Sequence, residues 1–336
     1  MLMARRSVFL QGRKIIETPL LVPSFSSKGF PEVKQLIELM KEYITESALI
    51  SAYDIHHKLI NKKHSFCHAL FIDSGGYEAS VDYDLSDAKR TYQPLKSWQH
   101  SYYRKTLREL SLPRETAYVL VNYDNPKSRL KLKDQIERAK RDFRTLKSDS
   151  FVTEFLIKPD PTTSSKKTHN GSEHLDIEKI LKNITSLREF QILGVTEKEL
   201  GASPLQRMIN IARIRKALND ANLHQPLHVF GALDPISVPL YFFAGADIFD
   251  GLTWLRYGLH KGLAVYNSNY YALNHSVDTL DESAWTRTLV TNLSALDNLQ
   301  RDMRTFAESK DFGVFSEHAG WFEKTCTHFM SALGGS

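Results

Sequence analysis

Short apolar runs, rich in β-branched and aromatic residues, recur along the chain between stretches of helical periodicity. They lie at 19–23 (PLLVP), 48–52 (ALISA), 69–73 (ALFID), 117–121 (AYVLV), 151–158 (FVTEFLIK), 190–194 (FQILG), 227–231 (LHVFG) and 247–251 (DIFDG). Several are apolar on both faces, the pattern of parallel strands covered by helices. Between them, stretches such as 33–43 and 205–218 carry apolar residues every three or four positions, which predicts amphipathic helices. Eight strands alternating with helices predict an α/β fold of the (β/α)8 TIM-barrel type. An open doubly wound sheet is the rival, but no G-x-G-x-x-G follows any strand. Past the eighth strand, Trp285, Leu289, Leu293, Leu296, Leu299, Met303 and Phe306 form the stripe of a long amphipathic helix packed on the barrel. The reading is one domain over 1–336, with the barrel at about 15–270 and C-terminal helices at about 280–336. The polar segment 159–173 is expected to be a loop on the active face.

Composition narrows the class. With 42% hydrophobic and 25% charged residues, intrinsic disorder is excluded. The two cysteines, Cys67 and Cys326, cannot build a disulfide framework or a multi-cysteine zinc site, and suit a reducing compartment. The apolar run at 7–10 is too short for a signal peptide, and that around 238–246, which contains Pro239, is too short for a membrane span. The expectation is a cytoplasmic protein with no membrane contact, no cofactor and no bound metal.

Catalytic groups of such barrels sit at the C-terminal ends of strands. Asp73 ends the third strand, Asp124 follows the fourth, Gly194 to Glu197 close the sixth, Gly231 to Asp234 the seventh, and Asp250 the eighth. Asp73, Asp124 and Asp250 thus converge on one rim from distant parts of the chain. Two carboxylates facing one substrate can divide the work: one attacks an anomeric carbon, the other moves protons. Gly75 and Gly76 would let backbone approach a flat ligand. The competing reading is that Asp73 and Asp250 cap helices and the glycines only turn the chain. His56-His57 looks like a metal pair, but a barrel metallohydrolase wants H-x-H after the first strand, where the chain reads Ser24-Phe-Ser26.

Overall charge is only +5, yet 127–147 holds nine Lys/Arg against three acids, a local +6. The stretch 89–108 interleaves Lys89, Arg90, Lys96, Arg104, Lys105 and Arg108 with Tyr92, Trp98, Tyr102 and Tyr103. Cations among aromatics suit phosphates and unstacked bases, and a solvated helix face is the bland alternative. Lys166-Lys167 could reach phosphate as well.

Taken in order, these residues resemble a known family. Asp73-Ser-Gly-Gly-Tyr77 resembles the DSGGF segment of tRNA-guanine transglycosylases. Gly12-Arg-Lys-Ile-Ile-Glu-Thr-Pro19, with Val22-Pro23, resembles their N-terminal segment. Gly245-Ala-Asp-Ile-Phe-Asp250 resembles their G-x-D-x-F-D, with Arg256 six residues beyond the aspartate, as in the family. Asp124-Asn-Pro126 is similar to the archaeal D-x-P. The likeness runs from about residue 12 to about residue 262. It implies Asp250 as the nucleophile on C1′ of a guanosine and Asp73 as the general acid/base. Asp124 would read the base edge, and Ser74, Tyr77, Lys158, Gly194, Val195 and Gly231 would line the pocket. Arg256, Lys261, Arg104 and Lys105 would contact nucleic acid.

The departures point to a branch. The tRNA enzymes carry three close Cys and a His after the eighth strand as a zinc site, whereas 257–283 here contains no Cys. No room is expected for the archaeal RNA-binding domain, and Phe155-Leu-Ile-Lys158 stands where the tRNA enzymes have a base-contacting Gln. Both aspartates without the zinc subdomain resembles the DNA branch, which exchanges guanine for a 7-deazaguanine such as preQ0. The implied partners are DNA with a flipped-out base, the free base, and an ATPase of a DNA-modification cluster. The alternatives are the same exchange on tRNA, or a non-catalytic nucleic-acid-binding subunit.

Overall fold

The computed structural model describes residues 2–62, 64–80, 96–111, 113, 115–125, 129–146, 151–161, 173–275, 277 and 283–334. An N-terminal hairpin, β1 (Ser7–Leu10) and β2 (Arg13–Glu17), precedes the eight predicted strands. These are β3 (Leu20–Pro23), β4 (Ser47–Ser51), β5 (Ala69–Asp73), β6 (Ala117–Val121), β7 (Phe151–Leu156), β8 (Ile192–Thr196), β9 (Leu227–Phe230) and β10 (Ile248–Gly251). Each leads into a helix: α1 (Val33–Met40), α2 (Ala52–His56), α3 (His100–Glu109), α4 (Leu132–Arg144), α5 (Ile177–Lys182), α6 (Pro204–Asp220), α7 (Ser237–Phe243) and α8 (Thr253–Arg256). Helix α6 starts as sequence rules demand, with the Ser203 side chain capping the Gln206 N–H and Pro204 in the first turn.

The eight strands form one all-parallel sheet in the order β3-β10-β9-β8-β7-β6-β5-β4. Its two end strands meet through a parallel bridge between Ser24 and Leu49 and the Phe25 N–H donating to Leu49 O at 2.8 Å, so the sheet curls into a nearly closed barrel. Side chains complete this seam. Ser47 Oγ donates to Leu21 O at 3.2 Å, and the Leu21 N–H donates to Gln300 Oε1 at 2.6 Å. A buried N–H without such a partner would cost about 1–3 kcal/mol.

Strand alternation sorts two apolar layers. Val22, Leu49, Phe71, Val119, Val152, Ile192 and Ile248 fill the barrel. Their neighbours, including Leu21, Ile50, Ile72, Leu120 and Phe249, face the helices. The hairpin adds Val8, Ile15 and Ile16 to the inner layer. Below it, Asp247 at the foot of β10 has no exposed surface and accepts from Arg215 Nη2 at 2.5 Å, Arg6 Nη1 at 2.5 Å and the Leu227 N–H at 2.8 Å.

After α8 come a second hairpin, β11 (Gly258–His260) and β12 (Leu263–Val265), then α9 (Asn267–Asn274), α10 (Ala284–Ser309) and α11 (Ala319–Gly334). The predicted C-terminal stripe is α10, with Leu289, Leu293, Leu296, Met303 and Phe306 buried and Trp285 and Leu299 half-buried. Phe306, Phe315 and Phe322 surround Phe243 at ring-centroid distances of 5.0, 5.7 and 5.7 Å, which joins both C-terminal helices to α7. Neither hairpin was expected from the sequence. Their turns are Gln11-Gly12 and Lys261-Gly262, all four at positive φ, the geometry of a two-residue hairpin, but Gln and Lys give no turn signal. Among the described residues, no helix is long and apolar enough to cross a membrane.

Candidate active site

The rim at the C-terminal strand ends gathers the predicted acids. Asp250 follows the inward Ile248 at spacing two and therefore points into the barrel mouth. Its Oδ2 accepts from Ser24 Oγ at 2.8 Å, and its Oδ1 accepts from the Gly231 N–H at 3.1 Å. Gly231 sits at φ +79°, a conformation that favours glycine, and a Cβ there would meet open space. The backbone conformation, not crowding, is what calls for glycine there.

Asp73 is the inward residue after Phe71. Its Oδ2 accepts from the Gly75 N–H at 3.0 Å, which braces the turn after β5 rather than capping a helix. Burial, then the negative Glu78, and also Asp250, push Asp73 up to about 7. Both aspartates thus stand at inward positions of the same, C-terminal rim. Glu78 accepts from the hydroxyls of Ser26 and Ser51. Beneath it, buried Asp54 is held by the N–H and hydroxyl of Ser27, and burial followed by Glu78 raises it well above the carboxylate range.

The two glycines are required by the protein's own packing. Gly75, at φ +85°, lies so close to Tyr53 that a Cβ would stand 2.8 Å from its Cβ. A Cβ on Gly76 would stand 2.6 Å from Asp124 Oδ2. This close approach sets the Ser74 to Tyr77 turn against Asp124. Trp98 Nε1 donates to Ser74 O at 3.2 Å. Tyr77 is 38% exposed; Lys28 Nζ stands 4.4 Å from its ring centroid, and Arg256 Nη2 donates to its hydroxyl at 2.8 Å.

Asp124 and Lys158 form the other side. Ile157 is in the core, whereas Lys158 Nζ lies 3.7 Å from Asp124 Oδ2, 2.8 Å from Glu199 Oε1 and 2.9 Å from Thr196 Oγ1. Burial opposes the ammonium, but Glu199 and Asp124 outweigh it and raise Lys158. Asp124 and Lys158 thus place a hydrogen-bond acceptor beside a donor. Val195, by contrast, has no exposed surface and packs in the outer core.

The remaining cations are dispersed. Arg104 and Lys105 are on α3, facing Asp142 at 3.6 Å and Glu109 at 3.8 Å. Lys261, in the second hairpin's turn, lies 3.9 Å from Glu317. In the basic stretch, Arg129 pairs with Glu173, Lys140 with Glu189 at 2.8 Å, and Arg144 with Glu189 at 3.2 Å. Lys131, Lys133 and Arg141 face solvent. Lys127, Lys147, Lys89, Arg90, Tyr92, Lys166 and Lys167 lie outside the described residues. The His56-His57 pair packs among aromatics: His56 stacks on Tyr102 at 4.6 Å, and His57 Nε2 bonds Ser97 O at 3.1 Å.

Sequence reading missed five polar groups here: Ser24, Glu78, Glu154, Glu199 and His228. Glu154 and His228 carried a usable signal, being polar residues at inward positions of otherwise apolar strands. They form a buried pair, His228 Nδ1 lying 2.7 Å from Glu154 Oε1. The others lie beyond strand ends and are joined to the site only by folding.

A rim of this kind, with two buried carboxylates of contrasting surroundings beside an acceptor–donor pair, can divide nucleophilic attack from proton transfer. The segment 257–283 contains no Cys, so it lacks the three cysteine ligands of a three-Cys-plus-His zinc site. No model of a known protein family matches the chain, and no curated protein matches it either.

Proposed function

We propose that the protein is a base-exchange transglycosylase of the tRNA-guanine transglycosylase type, replacing guanine by a 7-deazaguanine such as preQ0 in DNA. The observation that carries this reading is the contrast between Asp250, held by Ser24 and Gly231, and Asp73, pushed up to about 7 by burial and Glu78. Two acids with separated environments divide nucleophile from proton donor. Asp250 Oδ2 gives an electron pair to C1′ as the C1′–N9 bond breaks. That bond's pair leaves with guanine, which takes the Asp73 proton. Asp73 then removes the N9 proton of the incoming base. N9 attacks C1′, the ester bond breaks, and its pair returns to Asp250. Two displacements retain the configuration. The Asp124 and Lys158 edge supports guanine as the base read. The missing cysteine ligands favour DNA over tRNA.

The test offers purified protein labelled guanine or preQ0 with single-stranded DNA, which needs no opening partner, and with tRNA. Label should enter DNA, and Asp250→Ala should abolish both exchange and the trapped adduct. Label in tRNA alone overturns the DNA assignment. An adduct that survives Asp250→Ala overturns the nucleophile, and no label in either nucleic acid overturns the reaction.

A further inference from the structure

Behind Asp250 the barrel holds a charged pair where apolar residues would otherwise pack. Glu154 on β7 and His228 on β9 have no exposed surface. His228 Nε2 lies 3.2 Å from Asp250 Oδ1, at ion-pair range though not aligned as a hydrogen bond. Strand β8 runs between the pair, and Glu154 reaches His228 past Gly194. A Cβ at 194 would stand 3.2 Å from Glu154 Oε1 and 2.6 Å from the Phe230 ring. That ring stacks on His228 at 3.9 Å, while Phe71 meets His228 edge-on at 5.6 Å. The imidazole is therefore fixed in position between two carboxylates. Removing such charges from water costs free energy that the pairing repays only in part, so the pair calls for a function.

We propose that His228, held as a cation by Glu154 across Gly194, is the positioning residue that makes Asp250 rather than Asp73 the nucleophilic carboxylate. The inference rests on the base-exchange reading and deepens it. Positive charge stands on Asp250's side of the mouth, while Asp73 faces the negative Glu78. Burial opposes charge on His228, but Glu154 and Asp250 outweigh it and lift it to about 9. The Gly231 N–H holds Oδ1 of Asp250 and His228 faces the same oxygen at ion-pair distance, which leaves Oδ2, held by the rotatable Ser24 hydroxyl, to attack C1′. Once Oδ2 is esterified, Glu154 and His228 remain a neutral couple. When the incoming base breaks the ester, the returning electron pair meets a cation. His228 keeps both protons throughout and touches no substrate.

The experiment compares wild type, His228→Gln, the near-isosteric Glu154→Gln and the double variant in exchange assays, alongside 15N spectra of the wild-type imidazoles. Each variant's fold is checked by near-UV dichroism. Expected are a doubly protonated His228 at pH 7, and kcat reduced about 100-fold in His228→Gln with KM for DNA within about threefold. Glu154→Gln should fall in the same direction, and the double variant should be no worse than His228→Gln, because the two act as a unit. Full kcat in either folded single variant, a neutral His228, or additive losses that appear in KM would overturn the proposal while wild-type exchange still stands. Absence of wild-type exchange on every nucleic acid overturns the reaction itself, and the proposal with it.

Discussion

Replacing Asp247 by Ala removes the one carboxylate joining Arg6, Arg215 and the Leu227 N–H at the foot of the barrel. Arg215 has no exposed surface, and burial pushes its guanidinium down to about 10, so it stays charged at neutral pH. Its other partners, the carbonyls of Gly245 at 2.9 Å and Gln225 at 3.0 Å, satisfy hydrogens but bring no countercharge. Breaking a buried ion pair from one side costs about 3–5 kcal/mol, a large share of the usual 5–15 kcal/mol of native stability. Unfolding entropy near 2.1 cal/mol/K per residue gives about 0.7 kcal/mol/K for this chain, so Tm should fall by about 4–7 °C. Circular dichroism melts with urea titrations at 25 °C measure both quantities. The double replacement Arg215→Met with Asp247→Leu should recover at least half of the loss, because it removes the fully buried of the two stranded charges and leaves only the partly exposed Arg6. The kcat of the folded fraction should be unchanged, since Asp247 lies at the end of β10 opposite the mouth. A loss below about 1 kcal/mol would refute the reasoning, because Arg215 would then be finding water or another anion.

Two further outcomes follow from the site. Asp73→Asn should abolish exchange yet stabilise the fold by about 1–2 kcal/mol at pH 8. Asp73 is raised to about 7 from an ordinary 3.8, so its contribution is fully present below 3.8 and is lost as pH rises through 7. A pH series of melts should show wild type and variant converging in acid; parallel curves would contradict this. Gly194→Ala should cost about 1–3 kcal/mol by overpacking and should shift the His228 15N resonances, since the new methyl meets Phe230 and Glu154. An unchanged spectrum would mean that the ring is not held through this gap.

The eight strands were legible because parallel strands buried on both faces leave mainly apolar runs, and each of the eight runs overlaps a strand of the sheet. The mouth was half legible. Asp73 and Asp250 stand at strand ends, where period-two alternation carries them inward. Glu154 and His228 obey the same alternation but lie one layer deeper, where only the inward sets Val152, Glu154, Leu156 and His228, Phe230 distinguish them. Glu78 lies in a turn and Glu199 in a three-residue 3-10 helix, both too short for periodicity, and their place beside Asp73 and Lys158 depends on packing between elements distant in sequence. Charge counting overstated the basic stretch, because Arg129, Lys140 and Arg144 meet acids that come from elsewhere in the chain.

The seam between β3 and β4 ties the mouth to the far end of the sequence. Gln300 of α10 receives the Leu21 amide and itself donates to Glu46 at 2.6 Å, while Arg304, one turn on, donates to Pro19 O at 3.2 Å and Glu17 O at 3.0 Å. Helix α10 thus acts as a clasp on the first barrel strand. Whenever it lifts, Leu21 loses its partner and the wall that carries Ser24 is free to breathe away from Asp250. Amide exchange at Leu21 and along α10 is therefore expected to proceed at one common rate, as a single opening event.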